Sequence, residues 1–159
     1  MRPSHPGERP RVGLVSVRFT LFEAQMGPDF PARMRAHVDR SAEILEGSFD
    51  VFRTRLIESE EDAASVAAQL AREHLDAVVF APAMAAPPSY GKRALEACDA
   101  PLLIWNAPSI RRIPDDYHQD EATVHSTTVG AVMYANVLVR EGRRVPVVTA
   151  AHGDDEALL

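Results

Sequence analysis

"DAVVFAPAMAAPPSYGKRALEACDAPLLIWNAP", residues 76–108, decides the fold. It opens and closes on continuous apolar runs, 76–83 and 101–108. Apolar runs without polar alternation mark strands buried on both faces, as in a parallel sheet. Between them, after the proline-rich "AMAAPPSYG", the pattern predicts a short helix around Lys92–Cys98. Strand, helix, strand in that order is the crossover that joins parallel neighbours.

The same alternation continues in both directions. "RVGLVSVRF" (11–19) reads as a buried first strand, followed by a Gly- and Pro-punctuated loop, 20–31. In 32–48, Met34, Val38, Ser41 and Leu45 share one face at helical spacing, and Gly47 is a natural stop. "FDVFRTRLI" (49–57) alternates with arginines on one side, which suits a strand near a sheet edge. "SEEDAASVAAQLAREH" (59–74) is a helix with acids in its first turn, Arg72 and His74 in its last, and an apolar stripe of Ala63, Val66, Ala67 and Leu70. After residue 108 come about twenty polar residues, then a helix from about Thr127 to Glu141 and a fifth strand, 143–150.

The expected architecture is therefore a three-layer α/β/α domain with a five-stranded parallel sheet in the flavodoxin-like order 2-1-3-4-5. It would occupy residues 11–159 as a single domain, after a charged, proline-rich leader over 1–10 that is expected to be disordered. Such a fold normally adds a helix after strand 5. Only "AHGDDEALL" remains, so the final helix is expected to be missing or truncated. A half-covered apolar sheet face is costly, at roughly 25 cal/mol per Å². The expected remedy is a partner chain or homo-oligomerisation.

Composition narrows the function classes. Of the 159 residues, 46% are hydrophobic and 25% charged, within the range of a globular domain. Cys98 is the single cysteine, which excludes an internal disulfide and suits the cytoplasm; its place late in a predicted helix marks it as a packing residue. The formal charge of −6, with acids and bases interspersed, argues against a nucleic-acid partner. No apolar stretch approaches the length of a membrane span.

Ligands of open α/β sheets bind beyond the carboxyl ends of the strands. Those ends carry Ser16 to Phe19, Ala81 to Ala83 and Trp105 to Ala107, and the polar loop 109–126 leaves from the same rim. There is no GxGxxG after strand 1 and no P-loop. An FMN site would rest on the fold alone, since no phosphate-binding loop follows strand 1. Asp115, Asp116, His118, Asp120, Glu121 and His125 have metal-ligand chemistry but no ordered motif, and read as a solvated acidic loop. Ser16 has no base at motif spacing. Arg18, Arg111 and Arg112 are rim cations or ordinary surface charge. Ser126, Thr127 and Thr128 read as a helix N-cap that also offers donors at the rim, with His125 beside them.

From "APLLIWNAP" (100–108) through "HSTTVGAVMYANVLVREGRRVPVVTAAHGD" (125–154), the chain resembles the N-terminal domain of the L-arabinose/L-fucose isomerase superfamily. The start, "VGLVSVRFTLFEAQMGPD", resembles that family's first strand and loop. Val129 stands where some arabinose isomerases carry a histidine that reaches the substrate. The resemblance implies a subunit or fragment that helps wall an aldose–ketose isomerase active site. Catalytic and metal-binding residues, with manganese, would lie on a partner domain, and no cofactor would be bound by this chain alone. It further implies a small sugar-like substrate touched by His125, Ser126, Thr127, Asn106 and Arg18. The alternatives from other classes are a non-catalytic scaffold or binding subunit of a hetero-oligomer, and an independent small enzyme.

Overall fold

Five parallel strands form one sheet in the order β2-β1-β3-β4-β5. The computed structural model describes residues 9–154, and of Gln119 and Asp120 the backbone alone. The strands are β1 (Arg11–Val15), β2 (Asp50–Arg53), β3 (Ala77–Phe80), β4 (Leu102–Asn106) and β5 (Val147–Thr149). The helices are α1 (Phe30–Glu46), α2 (Glu60–Leu70), α3 (Pro88–Glu96), α4 (Gln119–Val124) and α5 (Thr127–Arg140), with a 3-10 turn at Thr20–Gln25. The flavodoxin-like expectation holds.

The period of two along the strands sorts the core into two layers. Val15, Val78, Phe80, Leu102 and Ile104 face α2, α3 and α5, where they meet Val66, Leu70, Leu95, Tyr134 and Leu138. Val12, Leu14, Val79 and Trp105 face the other way, against Ala42 and Leu45 of α1. On that second side Leu103 and Val148 remain only partly buried. The segment expected to begin a last helix falls mainly on residues 155–159, outside the described residues, as do residues 1–8 of the expected leader. Arg9, placed with that leader, donates to the carbonyls of Glu46 and Gly47 at the end of α1.

Local chemistry explains the boundaries. The Ser59 hydroxyl accepts from the Asp62 N–H and caps α2, whose expected apolar stripe is buried throughout. α3 begins earlier than expected, at Pro88, because proline is tolerated in a helix's first turn. β2 is shorter than the 49–57 run, yet the chain stays beside β1: Ile57 bridges Val17 and is fully buried. Gly130 lets α5 approach the loop after β3, since a Cβ there would come within 2.6 Å of the Met84 carbonyl oxygen. Among the described residues, no helix is long and apolar enough to cross a membrane.

Candidate functional site

The carboxyl ends of the strands bring two polar clusters to one rim. The first surrounds Asn106, the last residue of β4. Its Nδ2 donates to the Thr149 hydroxyl at 3.2 Å, and its Oδ1 accepts from Thr128 at 3.1 Å and from Thr127 at 3.5 Å. Asn106 and Thr127 are both buried. Ser126 stands at the N-cap position of α5 but does not cap it. Its hydroxyl instead accepts from the Ala85 N–H at 2.9 Å and donates to the Thr123 carbonyl at 2.7 Å. Most of the donors and acceptors of this cluster are thus spent on holding β4, β5, α4 and α5 together.

Arg18 stands elsewhere. It is 3% exposed and clamped between Glu23 of the 3-10 turn and Glu58, each at 2.5 Å. Ser16, beside it in the chain, is 2% exposed, so its hydroxyl is closed to a substrate. Of the five expected contact residues, His125 lines an open cleft.

That cleft, of about 310 Å³, lies between α1 and the loops that follow β4 and β5. Met34, His37 and Arg40 of α1 form one wall. Ser109, Val124, His125 and His152 form the rest. Helical spacing explains the first wall: His37 follows Met34 by three residues and Ser41 by a further four, which places all three on the buried side of α1.

His37 and His152 lie ring against ring, with centroids 4.4 Å apart. Ser41 connects them. Its hydroxyl donates to the His37 carbonyl at 3.1 Å and lies 2.9 Å from His152 Nε2. A hydroxyl has one proton to give. With that proton on the carbonyl, Ser41 accepts from His152, which carries its hydrogen on Nε2. Burial pushes the pKa of His37 down to about 3, helped by the neighbouring imidazoles of His152 and His125, so His37 is neutral at physiological pH. Its Nε2 is buried and has no hydrogen-bond partner among the described residues.

The opposite wall carries a chain of four polar groups. Ser109 Oγ is 2.8 Å from His125 Nδ1, and His125 Nε2 is 3.2 Å from Glu121 Oε2. Arg33 of α1 then grips Glu121 with both guanidinium nitrogens, at 3.1 and 2.8 Å. Hydrogen bonding to Arg33 holds the Glu121 carboxyl below its ordinary range, and so ionised. The backbone under Ser109 is tied down by the His152 N–H, which donates to the Pro108 carbonyl at 3.0 Å.

His37, Ser109 and His152 were not among the residues expected from sequence, and only their positions hinted at them. His37 sits on the buried stripe of α1. Ser109 and His152 each follow a strand end by three residues. The acidic loop gathers no metal set: Asp115, Asp116 and His118 are exposed, and no metal-binding group of His, Cys, Asp or Glu forms among the described residues. A second cleft, about 320 Å³, opens beside Arg35, Asp39 and Arg55, and three of its charged residues are engaged: Arg55 with Asp62, Asp39 with Arg53, and Glu58 with Arg18.

No protein-family model matches this chain, and no curated protein matches it. Among solved structures, an ABC transporter solute-binding protein from Thermobispora bispora aligns with 90% of this chain and 52% of its own, at 15% identity and a TM-score of 0.38. A periplasmic ribose ABC transporter from Conexibacter woesei aligns with 91% of this chain and 54% of its own, at 14% identity and a TM-score of 0.34. The chain spans about half the length of each. Likenesses this distant assign no function. They do correct one expectation: the structural neighbours are solute-binding proteins, not isomerases, and no isomerase family model matches. The isomerase-subunit reading is withdrawn. The physical reason for the resemblance is now visible. The quoted blocks carry the strand and helix periodicity of a doubly wound sheet, and their Thr127 and Thr128 bind Asn106 within the fold.

Proposed function

We propose that this chain is a binding domain for a small polyhydroxylated molecule of monosaccharide size, held in the histidine-lined cleft. One observation carries the reading: a buried, neutral His37 whose Nε2 has no partner among the described residues, on the wall of that cleft. Leaving a buried polar atom unpaired costs about 1–3 kcal/mol. That atom is covered in this structure, so a ligand hydroxyl would reach it through a small shift of the cleft wall and would then remove that cost.

The rest of the lining suits such a ligand. Sugars present hydroxyls at their edges and C–H groups on their faces. Met34, Ala36 and Val124 offer the apolar contact, and His125, Ser109 and Arg40 stand around it with polar groups. The volume of about 310 Å³ falls within the usual range for small-molecule sites. The cytoplasmic placement drawn from the single cysteine belongs to the same proposal, and Cys98 is unpaired.

Calorimetric titration of the full chain with pentoses, hexoses and their phosphates tests this. Saturable binding is expected for at least one of them, weakened about tenfold in His37→Leu, the loss of roughly one hydrogen bond. A panel without saturable binding, or equal affinity in the variant, would remove the proposal.

A further inference from the structure

We infer that Ser109, His125 and Glu121 form an acyl-transfer centre on the outer wall of the cleft, able to hydrolyse a small carboxylic ester. The inference goes beyond the binding proposal and does not rest on it. Its ground is the chain of contacts from Ser109 through His125 and Glu121 to Arg33, drawn from the loop after β4, from α4 and its C-cap, and from α1. A nucleophile beside a base, with the base oriented by a third group, is the arrangement that activates a serine.

The protonation states follow from the contacts. Glu121 is ionised and can only accept, so the His125 Nε2 that faces it is the donor and carries a hydrogen. The lone pair of Nδ1 then faces the Ser109 hydroxyl, which donates to it. The familiar hydrolase triad presents Nε2 to its serine. The chemistry requires only that the two ring nitrogens serve opposite partners, and here they do. Access is present as well: Ser109 is exposed, and the His125 side chain is 14% exposed. Ser16, which has no base at motif spacing, is closed to a substrate as well.

The step balances with water as the sole co-reactant. His125 Nδ1 takes the Ser109 proton as Oγ bonds to the ester carbonyl carbon. When the tetrahedral intermediate collapses, the C–O bond to the alcohol breaks and the departing oxygen takes the proton from His125. Water, deprotonated by the same nitrogen, then attacks the acyl-serine. The carboxylic acid leaves and Ser109 recovers its proton. Ser109 and His125 are the catalytic residues. Glu121 and Arg33 are positioning residues, which fix the ring and its tautomer.

The test is covalent labelling of the full chain with an alkyl fluorophosphonate, followed by peptide mass spectrometry. An adduct on Ser109 is expected, together with a burst of about one equivalent of nitrophenol from p-nitrophenyl acetate. Ser109→Ala abolishes both. His125→Ala slows labelling by about 100-fold, within the usual worth of a general base, and added imidazole restores part of the rate. Glu121→Gln lowers the limiting labelling rate while leaving the half-saturating probe concentration unchanged, a split that mere loss of structure would not give. Absence of an adduct on Ser109 in chain with a native circular dichroism spectrum would overturn the inference, as would labelling indifferent to His125→Ala. Neither result touches the sugar titration, which reads His37, so the two ideas fail separately.

Discussion

Two polar clusters share the sheet rim and have opposite characters. Around Asn106, three hydroxyls and one amide close on one another in a knot that links β4, β5 and α5, with Asn106 and Thr127 buried and Thr128 and Thr149 at its exposed edge. Around His37, three imidazoles line an open cleft, and one of their nitrogens, His37 Nε2, is buried without a partner among the described residues. Residue type does not separate the two, since both are built from side chains with recognised roles in sites. The separation lies in whether each polar atom is already paired. A paired atom stabilises the fold, whereas an unpaired one keeps a hydrogen-bonding capacity that the fold does not use.

The largest expected effect tests the unpaired side. His37 has a folded pKa of about 3, against about 6.5 when unfolded. Between those values the unfolded chain binds a proton that the folded chain refuses. The contribution of a neutral His37 is therefore complete above pH 6.5 and is lost progressively as pH falls toward 3. Denaturant unfolding at pH 7 and pH 4.5 should show a loss attributable to this group of roughly 2–3 kcal/mol, at about 1.36 kcal/mol per pH unit. His37→Leu removes that part of the acid sensitivity. An identical pH slope in the two proteins would mean that water reaches the ring and that the cleft wall is not dry.

Second in size is Asn106→Ala. The change removes the shared partner of Thr127, Thr128 and Thr149 and leaves the buried Thr127 hydroxyl without its acceptor. A cost of about 2 kcal/mol follows from the loss of two to three hydrogen bonds and one stranded hydroxyl. Sugar affinity should hold in the same variant, since Asn106 does not line the cleft. A fall in affinity without a fall in stability would invert the comparison and return the Asn106 cluster to the status of a site.

The sheet was legible because burial on both faces writes continuous apolar runs, and 76–83 and 101–108 contain β3 and β4. Helical stripes were legible on the same ground, and the α2 stripe is buried residue for residue as expected. α4 was not: its six residues lie in a polar stretch, and its buried Val124 packs against Phe30 and Met34 far away in sequence. The rim was legible from topology, which named the strand ends, Asn106 among them, and the loop 109–126 that carries His125. Which of them face solvent depends on contacts such as Arg33 to Glu121, 88 residues apart, and no local spacing encodes that. His37 was hidden for a related reason. On an apolar stripe a histidine resembles a packing residue until the structure shows that its nitrogen lacks a partner.

The smallest expected effect falls on Ser109, and its smallness separates a catalytic hydroxyl from a structural one. Ser109 is exposed, so its bond to His125 replaces a bond to water at little net gain. Ser109→Ala should change unfolding free energy by less than about 0.5 kcal/mol, as surface substitutions usually do. Thr127→Val, in the paired cluster, should cost about 1 kcal/mol, because its hydroxyl is buried and bonded to Asn106. Parallel denaturation curves for the two variants would measure the difference. Should Ser109→Ala cost as much as Thr127→Val, the Ser109–His125 contact would belong with the structural knot around Asn106, and its place beside the cleft would be a consequence of folding alone.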